Sequence, residues 1–385
     1  MAIVESNVAG NEGVTRREYV TYGSAIAGTG LLAGCAETDS ENGGANGADG
    51  TGTTDGTYSV TMEPVGSVEF ETVPERWLPY TADYADMGVA LGQADGLLGV
   101  ELVERFGTHY YEELPGVSVD EDDLVDLWQS GTDTELFYEL DADVHLVDPP
   151  FMTNQVQWTE ADVESIEHGV APFIGNTIFS RSYGWHDYEY YSLYEAFEKI
   201  AEVFQERDRF EAFDQLHDEV LADVHSRLPD ENPEIAILAP ESVAPEEFYG
   251  YTLDGGTQSK QWDDLGVRDA LERSGVGGFH ETGGTIDYEA LLEVDPDAIV
   301  IWQEAGVTAE SFEADVLEPM RDHSVAQNLT AVENDRVIFG GLFYQGPIIN
   351  LFQLEMAAQG LFPDEFGGED LFDRQRVADI VAGEF

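Results

Sequence analysis

The run Phe179-Ser180-Arg181-Ser182-Tyr183-Gly184-Trp185-His186-Asp187-Tyr188 is the densest mixture of aromatic, cationic and imidazole side chains in the chain. A guanidinium set among aromatic faces suits an anionic, partly aromatic ligand, because its planar fork pairs with oxyanions while the rings stack on the organic part. Arginine is scarce here: 16 basic residues stand against 79 acidic ones, and only Lys199 and Lys260 are lysines. Placing Arg181 beside Tyr183, Trp185 and His186 therefore points to binding; the alternative is an aromatic corner packed against the next helix. Nothing comparable points to catalysis. The chain lacks HExxH, GxSxG, a Walker loop and CxxC. Its eight histidines form no H-x-H or H-x3-H pair, which argues against a bare zinc or manganese site. Tyrosines and carboxylates would still suit naked Fe3+, a hard ion.

The elements that must position such a site are announced by a phrase written twice. Residues 133–148 read DTELFYELDADVHLVD and residues 287–302 read DYEALLEVDPDAIVIW, so Asp133, Glu135, Glu139, Asp141 and Asp143 recur as Asp287, Glu289, Glu293, Asp295 and Asp297. Each copy begins with helical apolar spacing, passes an acidic turn and ends in a short apolar run suited to a buried parallel strand. In so acidic a chain some matches arise by chance, but the shared apolar frame argues for two similar α/β lobes. The strand ends Asp148 and Trp302-Gln303 then face one another across a groove, since open α/β sheets bind ligands at the carboxyl ends of their strands.

Charge and leader set the environment. A net charge of −63 repels phosphate backbones and anionic headgroups, which excludes nucleic acid as a partner, and it favours concentrated brine, where salt screens the self-repulsion. Disorder is excluded by 42% apolar content with 20 Phe, 17 Tyr and 6 Trp. At the start, Thr15-Arg16-Arg17-Glu18-Tyr19-Val20 has the twin-arginine export pattern, and a weakly apolar run leads to Leu32-Ala33-Gly34-Cys35. That ending resembles a lipoprotein lipobox. It makes residues 1–35 an export signal and Cys35, the only cysteine, the site of lipidation. Residues 36–57, rich in Gly, Asn, Asp, Thr and Ser, read as a tether with too little apolar surface to fold. The expected location is extracytoplasmic, anchored to the outer face of the cell membrane.

Folded sequence is expected as an N-terminal lobe over 58–190, a connecting helix over 191–230 and a C-terminal lobe over 231–385. Tyr58–Val73 reads as a hairpin turned at Pro64-Val65-Gly66, and a helix from Thr81 to Gly92 follows a strand ending at Tyr80. Tyr80 and Tyr84 sit at that strand-to-helix edge, as ligand contacts or as packing aromatics. Val170–Gly175 reads as a strand. The apolar series from Tyr194 to Val224 reads as one long helix with a break near Arg207–Arg209. In the second half a strand opens at Ile235, Phe248–Tyr251 lies at a sheet edge, Ser259–Ser274 and Leu317–Asn328 read as helices, and Pro347 opens a last long one. Tyr249, Tyr251, Trp262 and Tyr344 are candidates to face the groove from this side. Asn328-Leu329-Thr330 is a glycosylation triplet.

Ala90-Leu91-Gly92 followed by Leu98-Gly99-Val100, and the second copy's Glu289 to Val300 with Pro296-Asp297 ahead of its strand, resemble the substrate-binding proteins that serve ABC importers of ferric siderophores, haem and cobalamin. The resemblance runs from about Val68 to Phe362. It implies two Rossmann-like lobes with mostly parallel central sheets, joined by a single long helix, so closure motions are small. It also implies an iron chelate held between the lobes, with a ferric siderophore first and haem, cobalamin or bare Fe3+ as alternatives. The implied partners are an ABC permease and its ATPase, the protein itself being a monomer without a resident cofactor. In that family one glutamate on each lobe docks on permease arginines, and Glu135 and Glu289 match those places. Leu329–Phe339 is similar to the family's late hairpin. A lipid-anchored sensory or scaffold ectodomain without transport is the competing reading from another class.

Overall fold

The repeated phrase folds twice in one way, as helix, left-handed turn and strand. In the computed structural model, which describes residues 56–128, 131–229, 232–302 and 307–385, the first copy forms helix Thr134–Leu140 and strand Val144–Leu146. The second forms helix Tyr288–Val294 and strand Ala298–Ile301. Asp133 caps the first helix by accepting from the Glu135 N–H, and Asp287 caps the second by accepting from the Ala290 N–H. Asp141 and Asp295 end the helices in left-handed backbone, at φ 47° and 44°. Two residues on, the Asp143 carboxylate accepts from the backbone of Glu75 and Arg76, and Asp297 accepts from Glu234. Each final aspartate thus anchors the entry of the strand that its own strand pairs with.

In chain order the strands are β1 (Tyr58–Met62), β2 (Gly66–Phe70), β3 (Trp77–Pro79), β4 (Gly99–Val100), β5 (Val125–Asp126), β6 (Val144–Leu146), β7 (Glu234–Pro240), β8 (Glu247–Tyr251), β9 (Arg268–Asp269), β10 (Thr285–Asp287), β11 (Ala298–Ile301) and β12 (Val337–Phe339). β1 and β2 form the expected antiparallel hairpin. Beyond that hairpin the first lobe pairs its strands in parallel: β3 pairs β6 and β4 pairs β5, while a bridge from Trp77 to Leu97 links the two pairs. The second lobe orders its strands β10-β8-β7-β11-β12, with β9 also on β7; β7, β9, β10, β11 and β12 run in one direction and β8 alone runs against them. These are the two Rossmann-like lobes expected. Trp77, wholly buried on β3, lies against helix Ala82–Ala90 at Gly88, where a Cβ would collide with the indole.

The connector is helical as Leu193–Phe204 and Arg207–Arg227, broken at Gln205, which is left-handed (φ 58°). Ser192 and Glu195 form a capping box at its start. Several local expectations are corrected. β8 lies between β7 and β10 rather than at an edge. Residues 259–274 split into helix Lys260–Asp264, β9 and helix Ala270–Ser274, because Gly266 turns at φ +63° and sends Arg268 onto β7. Residues 317–328 are helical only as far as Asp322, with one tight turn at Ala326–Asn328. Leu329–Phe339 is a short helix, Thr330–Glu333, feeding β12, which pairs β11 in parallel and so forms no hairpin. The strand expected at 170–175 reduces to a bridge between Phe173 and His145.

Helix Pro347–Leu361 is buried on nearly every side because it lies between elements of both halves, packing on helix Ala82–Ala90, on the connector, on helix Lys260–Asp264 and on β12. Its first turn receives a carboxylate from the first lobe: Asp86 Oδ2 accepts from the N–H groups of Ile348 and Ile349, both at 2.9 Å. Tyr111 donates to the other Asp86 oxygen at 2.7 Å.

Candidate functional site

The strand ends of the two lobes converge on a continuous field of rings. From the first lobe, Phe151 lies 5.8 Å from Phe179, and Tyr183 stacks on Trp185 at 5.0 Å. From the second, Tyr251 lies 4.4 Å from Trp302, and Trp302 lies 5.0 Å from Phe343. The two sets touch where Phe179 meets Phe343 at 5.6 Å and Tyr344 at 5.5 Å. Tyr249 joins at the rim through Phe279, 4.9 Å away. Contacts of this kind contribute about 0.5–1.5 kcal/mol each beyond the area they bury.

A polar seam runs alongside. Asp254 of the second lobe accepts on Oδ2 from the Ser180 hydroxyl (2.6 Å), the Arg181 N–H (2.8 Å) and the Ser182 hydroxyl (2.8 Å). The backbone follows the same path: Thr257 N–H donates to Ile178 and Gln258 N–H to Phe179. Gly256 permits this approach, since a Cβ there would strike the Phe179 carbonyl. The Arg181 main chain is thereby fixed while its guanidinium stays exposed above the Tyr190 ring, 5.5 Å from its centroid, and in no ion pair among the described residues. His186 is buried, with Tyr190 at 3.5 Å and Tyr188 at 3.9 Å, and burial lowers its pKa.

Other expected contacts lie deeper. Tyr80 bonds Thr132 Oγ1 at 2.9 Å, and the Tyr84 hydroxyl both donates to the Asn176 carbonyl and accepts from its N–H. Both are packing aromatics, beside a cavity of about 10 Å3 that they share with Asp148, Phe151 and Phe179, room for about one water. Asp148 does not face Trp302. Its carboxylate turns into the first lobe, accepting from Thr177 and from the Tyr188 hydroxyl, and burial pushes it up to about 6. Trp262 is 0% exposed and reaches no surface a ligand touches, which removes it from the groove. Trp302 and Tyr344 belong to the ring cluster where the lobes meet and are buried there, and Tyr344 donates to Glu101 at 3.0 Å. Gln303, Cys35, Arg16 and Arg17 lie outside the described residues. Glu135 and Glu289 are exposed in the first turns of their matched helices.

Phe179 opens the aromatic run read from the sequence, whereas Phe151, Phe343 and Asp254 are contributions that the structure adds. Phe151 follows Asp148-Pro149-Pro150 at a strand end already marked, and Phe343 adjoins Tyr344, so adjacency to the chosen positions was the available signal. Asp254 carried none, being one acid among 79.

The sequence pattern of the family described as periplasmic binding protein matches residues 79–341. Solved structures with this fold include a periplasmic binding protein from Veillonella parvula (TM-score 0.58, 16% identity, covering 81% of this chain and 99% of that one). The petrobactin-binding protein YclQ from Bacillus subtilis has a TM-score of 0.56 at 16% identity, covering 80% and 99%. The iron uptake ABC transporter substrate-binding protein PiuA from Streptococcus pneumoniae has 0.55 at 15%, covering 80% and 100%. A search of curated proteins gives no match.

Proposed function

Because the chain belongs to the periplasmic binding protein family, we propose that it captures a ferric siderophore between its lobes and delivers it to an ABC permease. The observation that carries this reading is the exposed Arg181 guanidinium, held by its backbone to Asp254 at the edge of the aromatic cluster where the two lobes meet. A ferric chelate is a bulky, commonly anionic complex with an organic shell. It presents oxygens to Arg181 and carbon surface to Tyr183, Trp185, Tyr251, Trp302 and Phe343. Since the rings of the two lobes touch, the chelate enters by parting Phe343 from Phe179 at the rim. The connector and helix Pro347–Leu361 both tie the lobes, which keeps that opening small.

The lobes are taken as 58–190 and 231–385, and Glu135 and Glu289 as the permease-docking acids. Export through Arg16-Arg17 and lipidation at Cys35 would hold the folded domain on the outer face of the membrane, in a saline medium that suits its charge. The experiment is a titration of the folded domain in concentrated KCl with ferric hydroxamates, haem and cobalamin, followed by tryptophan fluorescence. Saturable quenching by a ferric hydroxamate at lower concentration than the others supports the reading. Preference for haem or cobalamin reassigns the cargo, and quenching by none favours a sensory or scaffold ectodomain.

A further inference from the structure

Away from the aromatic groove, where the connector meets the second lobe, lies a cavity of about 350 Å3, within the size range of small-molecule sites. Tyr194, Asp214, His217 and Asp218 form one wall, and Lys260, Asp263 and Asp264 the other. Three lining side chains carry a polar atom that is buried without a hydrogen-bond partner: the Tyr194 hydroxyl, His217 Nε2 and the Thr257 hydroxyl. His217 is only 5% exposed, and its nearest carboxylate oxygen, Asp264 Oδ2, is 3.9 Å away, beyond hydrogen-bond reach. A buried polar group left unpaired is costly, so such atoms lining a cavity point to a guest that satisfies them.

The guest's charge follows from the walls. Lys260 is spent on Asp264, donating to both its oxygens at 2.9 and 2.8 Å. Asp263 accepts from the Ser259 hydroxyl at 3.0 Å and lies in no ion pair among the described residues. Asp214 and Asp218 stand one helical turn apart with no basic partner in salt-bridge reach among the described residues, an unfavourable arrangement of like charges. Burial first and then the neighbouring Asp218 raise the Asp214 pKa, with His217 opposing them. Among the described residues no three His, Cys, Asp or Glu side chains converge closely enough to ligate a metal. An occupant that reaches both walls must therefore be larger than an ion and carry hydrogen-bond donors on separate ends.

We propose that this cavity binds a small organic diammonium cation, which bridges Asp214 and Asp218 of the connector to Asp263 of the second lobe. Its N–H groups donate to the carboxylates, to His217 Nε2 and to the hydroxyl oxygens of Tyr194 and Thr257, so one guest serves open acceptors on both walls. Binding there would also tie the connector to the second lobe.

Calorimetric titration of the full chain in about 1 M KCl, where exposed charges are screened within about 3 Å, tests this with 1,4-diaminobutane, 1,4-butanediol and Mg2+ as probes. The diamine is expected to bind one saturable site, the diol none, and Mg2+ neither to saturate nor to displace the diamine. Asp218 is exposed, so Asp218→Asn keeps the fold; it should weaken diamine binding about 10-fold or more. Tyr194→Phe should weaken it by a smaller factor. Absence of saturable diamine binding to the unaltered protein, displacement by Mg2+, or unchanged affinity in Asp218→Asn would each overturn the proposal.

Discussion

The Tyr344 hydroxyl donates to Glu101 Oε2 at 3.0 Å, joining the segment after β12 to the segment after β4 across the groove. Asp86 makes a second carboxylate link, to the backbone of Ile348 and Ile349, and Asp254 a third, to residues 180–182. Each link sets an acceptor from one half against donors from the other. The state of these carboxyls therefore bears on how tightly the halves hold together.

Stability should fall as pH rises. Burial pushes Asp86 up to about 7 and Asp83 and Asp148 up to about 6, against about 4 in an unfolded chain. From about pH 4 to pH 7 the folded state keeps protons that the unfolded state releases, so the folded state loses ground through that window and levels off above it. Thermal melting in constant high salt should give a lower Tm at pH 8 than at pH 5. Asp86→Asn, which keeps an acceptor for Ile348 and Ile349, should flatten part of that slope. Asp86→Ala should cost about 1–3 kcal/mol at either pH by stranding the Tyr111 hydroxyl and two N–H groups. A Tm that rises from pH 5 to pH 8 would contradict this.

Arg181→Ala should weaken ferric chelate binding by about 10- to 100-fold, the worth of a charge-assisted contact. Its guanidinium is exposed and its backbone N–H, not its side chain, bonds Asp254, so Tm should move little. Parallel titration and melting of the variant separate the two effects, and unchanged affinity would remove Arg181 from the site.

Glu135→Arg combined with Glu289→Arg should abolish uptake in cells while leaving chelate affinity intact. Both carboxylates are exposed, and neither is the cap of its helix, that role falling to Asp133 and Asp287. Survival of uptake would show that docking lies elsewhere.

Lowering KCl from about 2 M to about 0.1 M lengthens the screening distance from under about 3 Å to about 10 Å. With a net charge of −63 the Tm should drop steadily over that range. A Tm indifferent to salt would mean that the acids are neutralised by contacts within the protein.

The lobes were legible because the doubled phrase is periodic at short range. Caps at Asp133 and Asp287, turns at Asp141 and Asp295 and the apolar strands that follow are all local. The ring cluster where the lobes meet was legible in part, at Tyr183, Trp185, Tyr251 and Trp302. What escaped depended on distant partners. Tyr80 and Tyr84 have the composition of contact residues, but Thr132 and Asn176 hold their hydroxyls. Asp148 is drawn inward by Thr177 and Tyr188, and Trp262 is covered by the body of the second half. The split of 259–274 rests on β9 finding β7, some thirty residues earlier, which no window of helical spacing reveals.

The claim that the chelate lies between the two lobes is tested most directly by amide hydrogen exchange with and without a saturating ferric hydroxamate. New protection is expected in two separated places at once, over 179–190 in the first lobe and around Tyr251 and Phe343 in the second. Protection confined to one of them, or absent from both, would contradict it.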